Sequence, residues 1–133
     1  MTDLSEVAEH YSSSALLERI DAALNEAGAK RPLDLETLAL LDEFHIGGRQ
    51  ATEHLIKRLG ISAGNSVLDL GCGLGGPARY VAKASTARVT GLDLTQDFVA
   101  AGNALTGQAL MVDLVELRQG SILEMPFDDD QFD

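Results

Sequence analysis

The passage Val67-Leu68-Asp69-Leu70-Gly71-Cys72-Gly73-Leu74-Gly75-Gly76-Pro77 constrains this chain more than any other part of it. Its apolar beginning reads as a short buried strand, and Pro77 suits the first turn of a helix running to about Ala84. The glycines between them let the backbone turn sharply and approach a ligand closely, because no Cβ stands in the way. The helix that follows presents free N–H groups and a positive dipole end to whatever sits above the loop. A glycine-rich loop alone does not choose the ligand, since dinucleotide-binding enzymes use one as well.

Two carboxylates narrow the choice. Asp69 lies inside the strand end, just before the first glycine, where dinucleotide enzymes usually keep an apolar residue. A carboxylate there suits a ligand with a cationic amino-acid end; alternatively it bonds the loop's own amides. Asp93 ends the next strand, 20 residues beyond Gly73. It can accept both hydroxyls of a ribose or cap the helix that begins near Thr95. Asp93 by itself does not distinguish a nicotinamide cofactor from other ribose-bearing ligands.

The periodicity around this core is regular. Leu16, Leu17, Ile20, Ala23, Leu24 and Ala27 recur at helical spacing after the candidate caps Ser12, Ser13 and Ser14, and Gly28 ends the run. After Pro32, Asp34 can cap a second helix with Leu35, Leu38, Ala39, Leu41 and Phe44 on its apolar side and Asp42 and Glu43 on its wet side. A Gly47-Gly48 break precedes a third helix over residues 49–59, closed by Gly60. Residues 88–93 form a second strand. Thr95 can cap a helix through Phe98, Val99 and Leu105 that ends between Gly107 and Met111, and residues 115–119 alternate as a third strand. Strand, helix, strand, helix, strand implies a parallel sheet with right-handed crossovers. Phe132-Asp133 look like the start of a fourth strand. Three strands alone would leave a raw edge, so we expect a fragment of a larger domain; pairing of two copies through that edge, as a homodimer, would instead mark a non-catalytic module.

The formal net charge of −11 disfavours nucleic-acid and anionic membrane partners, which need clustered Lys and Arg. It fits a neutral or cationic small molecule better. One cysteine, Cys72, forms no intrachain disulfide and agrees with a reducing compartment. Residues 1–10 lack the apolar core of a signal peptide, and no stretch nears the roughly 20 apolar residues of a membrane span. A cytoplasmic protein is expected. The acidic run Asp128-Asp129-Asp130 reads as a solvated turn rather than a metal site.

The stretch 67–76 resembles motif I of class I S-adenosylmethionine-dependent methyltransferases. Val89-Thr90-Gly91-Leu92-Asp93-Leu94 is similar to their second-strand motif, and Gln119-Gly120-Ser121-Ile122-Leu123-Glu124-Met125-Pro126-Phe127 with the acidic run to the segment between their third and fourth strands. The three motifs stand in family order over residues 66–133. The glycine loop with Gly-Ser-Ile-Leu-Glu resembles the small-molecule branch that includes sarcosine/dimethylglycine and tocopherol methyltransferases. Upstream, Glu9-His10-Tyr11-Ser12 and the stretch 42–52 are similar to the helical lid of such enzymes. The resemblance implies a Rossmann-like, doubly wound α/β fold. Its first three parallel strands are present: residues 61–133 would be the N-terminal half of the cofactor domain, and residues 1–60 a helical lid.

It also implies roles. Gly71 and Gly73 would sit against the methionine moiety of S-adenosylmethionine, with Cys72 between them as a small residue of the binding loop rather than a nucleophile. Asp69 would act near the cofactor's amino group and Asp93 on its ribose. Leu94 would pack on the adenine, and Ser121 and Ile122 would flank its edge. Many relatives carry Asp where Ser121 stands, which makes that contact weaker here. Tyr11 would reach the cofactor's carboxylate, and His45, Gly47, Gly48 and Gln50 would lie close to cofactor or substrate; alternatively Tyr11 and His45 pack the lid. The expected activity is methyl transfer to a small-molecule acceptor through N, O or C, with no catalytic base assigned. The alternatives are a non-catalytic S-adenosylmethionine-binding or interaction module, a nicotinamide-dependent oxidoreductase, and a structural fragment without a ligand.

Overall fold

The computed structural model describes residues 13–43 and 47–133. Tyr11, Ser12, Phe44 and His45 lie outside these described residues. The elements are α1 (Ser13–Glu26), α2 (Leu35–Asp42), α3 (Gly48–Leu59), β1 (Ser66–Leu70), α4 (Gly76–Ser85), β2 (Arg88–Asp93), α5 (Gln96–Gln108) and β3 (Val115–Gln119). The three strands are parallel in the order β1-β2-β3, with Asp69 opposite Gly91 and Asp93 opposite Gln119. The Rossmann-like expectation therefore holds. Two right-handed crossovers that step the same way along a sheet put both helices on one face. That face is built by Val67, Val89, Val115 and Leu117, against which Ala78 and Ala82 of α4 and Val99 of α5 are packed.

A second apolar cluster sits outside the first. Ile20 and Leu24 of α1, Leu33, Leu35 and Leu38 meet Leu74, Ala101 and Leu105. This layer fastens α1 to α5, while α2 packs on α4. Asp34 caps α2 as expected, its carboxylate accepting from the Thr37 amide at 2.7 Å. The neighbouring expectation needs correction: Asp42 and Glu43 do not face water. Leu35, Leu38 and Asp42 are spaced i, i+3, i+7 and share one helical stripe; Asp42 is 6 % exposed, and the Glu43 carboxylate is buried as well. Both are admitted to the interior by arginines, Arg79 and Arg49. Thr95 stands at the N-cap of α5 but its side chain makes no cap bond; Asp93 accepts from the Thr95 amide instead.

The other face of the sheet is crossed by the segment after β3. Arg118 lies over the Phe127 ring, and Phe127 meets Phe132 edge to face. Asp133 then reaches the free edge of β1: its amide donates to the Ser66 carbonyl at 2.8 Å, and its carboxylate accepts from the Ser66 amide at 2.8 Å. Phe132-Asp133 thus stand where a further strand would begin. Among the described residues no helix is long and apolar enough to cross a membrane.

Gly102, in the middle of α5, shows how closely helix and sheet approach. A Cβ there would run into the Leu117 side chain and stand 2.6 Å from the Leu74 carbonyl oxygen. In an exposed helix Gly→Ala stabilises by up to about 1 kcal/mol. Here we predict the opposite sign. Gly102→Ala should lower the unfolding free energy by about 1–3 kcal/mol through overpacking, read as a lower urea midpoint at unchanged slope. An unchanged or higher midpoint would show that α5 does not lie this close to β3.

Candidate functional site

The C-terminal ends of all three parallel strands open onto one side of the molecule, and the turns that leave them form the candidate site. The chain leaves β1 because the Gly71 and Cys72 amides both donate to the Leu92 carbonyl, at 2.8 and 3.2 Å. The turn then depends on left-handed backbone at Gly71, Gly73 and Gly75, with φ of 74°, 55° and 87°. The glycines divide into two kinds. Cβ atoms at Gly75 or Gly76 would strike Leu117 and Asp42, so these two serve close packing. Cβ positions at Gly71 and Gly73 meet nothing within 4 Å, so the first two glycines border open space. A side chain there would fill the volume that a ligand needs.

Asp93 closes this cradle from β2. One carboxylate oxygen accepts from the Gly73 amide at 2.8 Å and the other from the Thr95 amide at 2.9 Å. The Gly120 amide donates to the Asp93 carbonyl at 2.9 Å, which ties the end of β3 into the same knot. Asp93 therefore does structural work and remains half-buried at the rim, with lone pairs to share with a polar ligand. Around it stand exposed apolar side chains: Leu94 is 71 % exposed and Ile122 59 %. Exposed apolar residues in the turns next to a carboxylate suit a flat heterocycle attached to a sugar. Ser121 lies in the same turn, but its hydroxyl already accepts from the Leu123 amide at 3.1 Å, so a ligand would have to share it.

Asp69 lines the wall of a mostly apolar groove of about 320 Å³ between α3 and β1, together with Gly71, Ala51 and Thr52. Gly47 and Gln50 are exposed in the first turn of α3, one turn ahead of that groove. The structure thus brings together Asp69, Gly71, Cys72, Gly73, Asp93, Leu94, Ser121 and Ile122, with Gly47, Gly48 and Gln50 on the adjoining helix. Cys72 points inward. Its sulfur packs against Gly91, where a Cβ would come within 2.7 Å of it. Burial, and after it the charges of Asp69 and Asp93, push its thiol up to about 12.

The reading from residue types missed the charges that hold the neighbouring helices. Arg79 of α4 is fully buried and binds Asp42 at 2.7 Å. Arg49 of α3 binds Glu43 at 2.9 Å and Glu36 at 2.8 Å, and its guanidinium lies 4.2 Å from the centre of the Tyr80 ring. A signal was present for Arg79: it sits one position from Ala78 and three from Ala82, inside the small-residue face that α4 turns to the sheet.

Comparison with known proteins gives the family and the fold. Residues 67–133 match the family described as "Methyltransferase domain". Cycloartenol-C-24-methyltransferase 1 of Oryza sativa subsp. japonica is 39 % identical over 103 residues, which cover 69 % of this chain and 30 % of that protein. Among solved structures, a putative sarcosine dimethylglycine methyltransferase from Galdieria sulphuraria superposes with TM-score 0.62 at 26 % identity, covering 64 % of this chain and 33 % of the other. Geranyl diphosphate C-methyltransferase from Streptomyces coelicolor A3(2), in complex with Mg2+, geranyl diphosphate and S-adenosyl-L-homocysteine, does so with TM-score 0.56 at 29 % identity, covering 59 % and 30 %. The chain spans between about a fifth and a third of the curated relatives it matches.

The buried thiol has a direct consequence. A thiol with a folded-state pKa of about 12 holds almost no thiolate at pH 8, and the thiolate is the reactive form. We predict that Cys72 resists a thiol-reactive disulfide reagent at pH 8 in the native protein and reacts stoichiometrically in denaturant. Rapid native reaction would mean that the glycine loop exposes Cys72 rather than burying it against Gly91.

Proposed function

Because the chain belongs to the methyltransferase-domain family, we propose that it forms the cofactor-binding part of an S-adenosylmethionine-dependent methyltransferase acting on a small-molecule acceptor. The observation that carries this reading is the open cradle: Gly71 and Gly73 border free space, and Asp93 stands across it with its carboxylate on the Gly73 amide. In this reading Asp93 takes the ribose hydroxyls, Leu94 and Ile122 hold the adenine between them, and Ser121 contributes a shared polar contact. Gly71, Cys72 and Gly73 follow the amino-acid tail with their backbone, and Asp69 attracts its ammonium group, directly or through water. Residues 61–133 are the N-terminal half of the cofactor domain. Residues 1–60 act as its lid, with Tyr11 serving the cofactor's carboxylate and His45, Gly47 and Gln50 serving the acceptor.

S-adenosylmethionine supplies an electrophilic methyl group on a sulfonium. The chain's own task is alignment and exclusion of water, which can be worth about 7–11 kcal/mol of barrier when reacting atoms are held in line. The cradle residues hold the methyl donor by both ends, and the lid helices limit solvent access. An acceptor amine or hydroxyl must lose its proton to a base or to water; no residue of this chain is assigned that role. The net charge of −11 favours neutral or cationic acceptors. The single buried thiol asks for no oxidising compartment, which goes with a cytoplasmic setting. A nicotinamide cofactor would meet the Asp69 carboxylate beside its pyrophosphate, an unfavourable placing of like charges.

Calorimetric titration of the folded chain with S-adenosylmethionine, with NADH as control, tests the reading. Saturable binding of S-adenosylmethionine alone is expected. Asp93→Ala, which removes charge-assisted hydrogen bonds worth about 1.5–3 kcal/mol, should weaken it roughly 10- to 100-fold. Binding of NADH in its place, or equal affinity in Asp93→Ala, would reject the assignment.

A further inference from the structure

We infer that Asp42 and Arg79 form a clasp through which the seating of the helical lid sets the geometry of the glycine loop. Asp42 is the last residue of α2, and Arg79 lies in the first turns of α4, the helix that grows directly out of the loop. The Asp42 carboxylate accepts a hydrogen bond from Arg79 Nη2 at 2.7 Å. The same guanidinium donates through Nη1 to the Gly102 carbonyl at 3.1 Å and to the Thr106 hydroxyl at 3.0 Å. One side chain thus joins α2, α4 and α5.

The clasp reaches the loop by direct contact. A Cβ on Gly75, the last loop residue, would stand 3.0 Å from Arg79 Nη1, and one on Gly76 would run into the Asp42 carboxylate and stand 2.6 Å from the Asp42 carbonyl oxygen. Asp42 therefore rests on the N-terminal end of α4, where a negative charge is favoured by the helix dipole. Withdrawing α2 would remove the neighbour against which Gly76 is packed and the counter-charge of the guanidinium that lies beside Gly75. The next residue along α4 holds a second tether, since Arg49 lies over the Tyr80 ring while pairing with Glu43. Asp42 and Arg49 are thus both tethered to the helix that begins at the loop.

The energetics agree with a positioning role. Burial pushes the Asp42 carboxyl above its ordinary range, and the Arg79 charge opposes that shift. Apolar replacements for a buried ion pair are often no less stable. A pair at this place is therefore explained better by the fixed geometry it imposes than by stability. Asp42 and Arg79 touch no reacting atom; they act through Gly75 and Gly76.

The ligand arm of this inference rests on the cofactor reading above, and its test is arranged to separate the two. Hydrogen exchange is followed by mass spectrometry in the full chain and in Asp42→Asn, each with and without S-adenosylhomocysteine. The clasp predicts that Asp42→Asn raises exchange in residues 35–43 and 71–79 together while residues 88–93 and 115–119 keep theirs. Affinity for S-adenosylhomocysteine should fall about tenfold, within the range of coupling among residues of one network. Faster exchange confined to residues 35–43, with the loop unchanged, overturns the clasp. If the loop responds to Asp42→Asn but the wild-type chain binds no S-adenosylhomocysteine, the clasp stands and the cofactor reading fails. Should Asp42→Asn not fold, Arg79→Lys serves: one ammonium cannot span Asp42 and Gly102 as the planar fork does. The same paired rise is expected, and wild-type exchange in its loop overturns the clasp.

Discussion

The carbonyl of Leu92 and the carboxylate of Asp93, two adjacent acceptors at the end of β2, organise the rest of the site. Leu92 takes the amides of Gly71 and Cys72, and Asp93 takes the amide of Gly73. These bonds turn the chain through a left-handed path at the end of β1 and deliver it to α4. With the loop bound to β2, the first two glycines face open space and the last two are packed into the core. Asp93 is both a strut of the loop and the polar rim of the cradle. Under the proposed function the same carboxylate would serve both structure and binding.

Close approach is the second constraint. Gly91 accepts the Cys72 side chain from the loop, and Gly102 accepts Leu117 from the sheet. Arg79 is buried beside the Gly102 carbonyl, to which it donates, and has Asp42 as its counter-charge; a buried guanidinium without a partner would cost several kcal/mol. Helix α2 is consequently held to α4 by an ion pair, beside the apolar contacts of Leu35 and Leu38.

Much of this was legible from residue order. The apolar run before the glycines, the proline after them and the alternation at residues 115–119 are local signals, and they identified three parallel strands and their crossovers. Asp93 was legible as a carboxylate at a strand end with a ribose or a helix start to serve; in the fold it accepts from the Thr95 amide just ahead of α5, and its bond to the Gly73 amide is one that the residue order did not suggest. Asp42 was misread because its role depends on Arg79, 37 positions away. A charge in a helical stripe reads as solvated until its partner is known, although its i+7 spacing from Leu35 already placed it on the buried side. Ser121 was legible as a departure from the family pattern but not as a residue whose hydroxyl its own turn occupies. Tyr11 and His45 lie outside the described residues.

The central claim is that the ends of three parallel strands form one cofactor cradle, and amide chemical-shift mapping with S-adenosylmethionine tests it most directly. In ¹⁵N-labelled protein the account predicts saturable shifts at residues 69–75, 93–95 and 119–123, with the opposite ends of the strands silent. Shifts confined to the groove beside α3, or to the opposite ends of the strands, would contradict it.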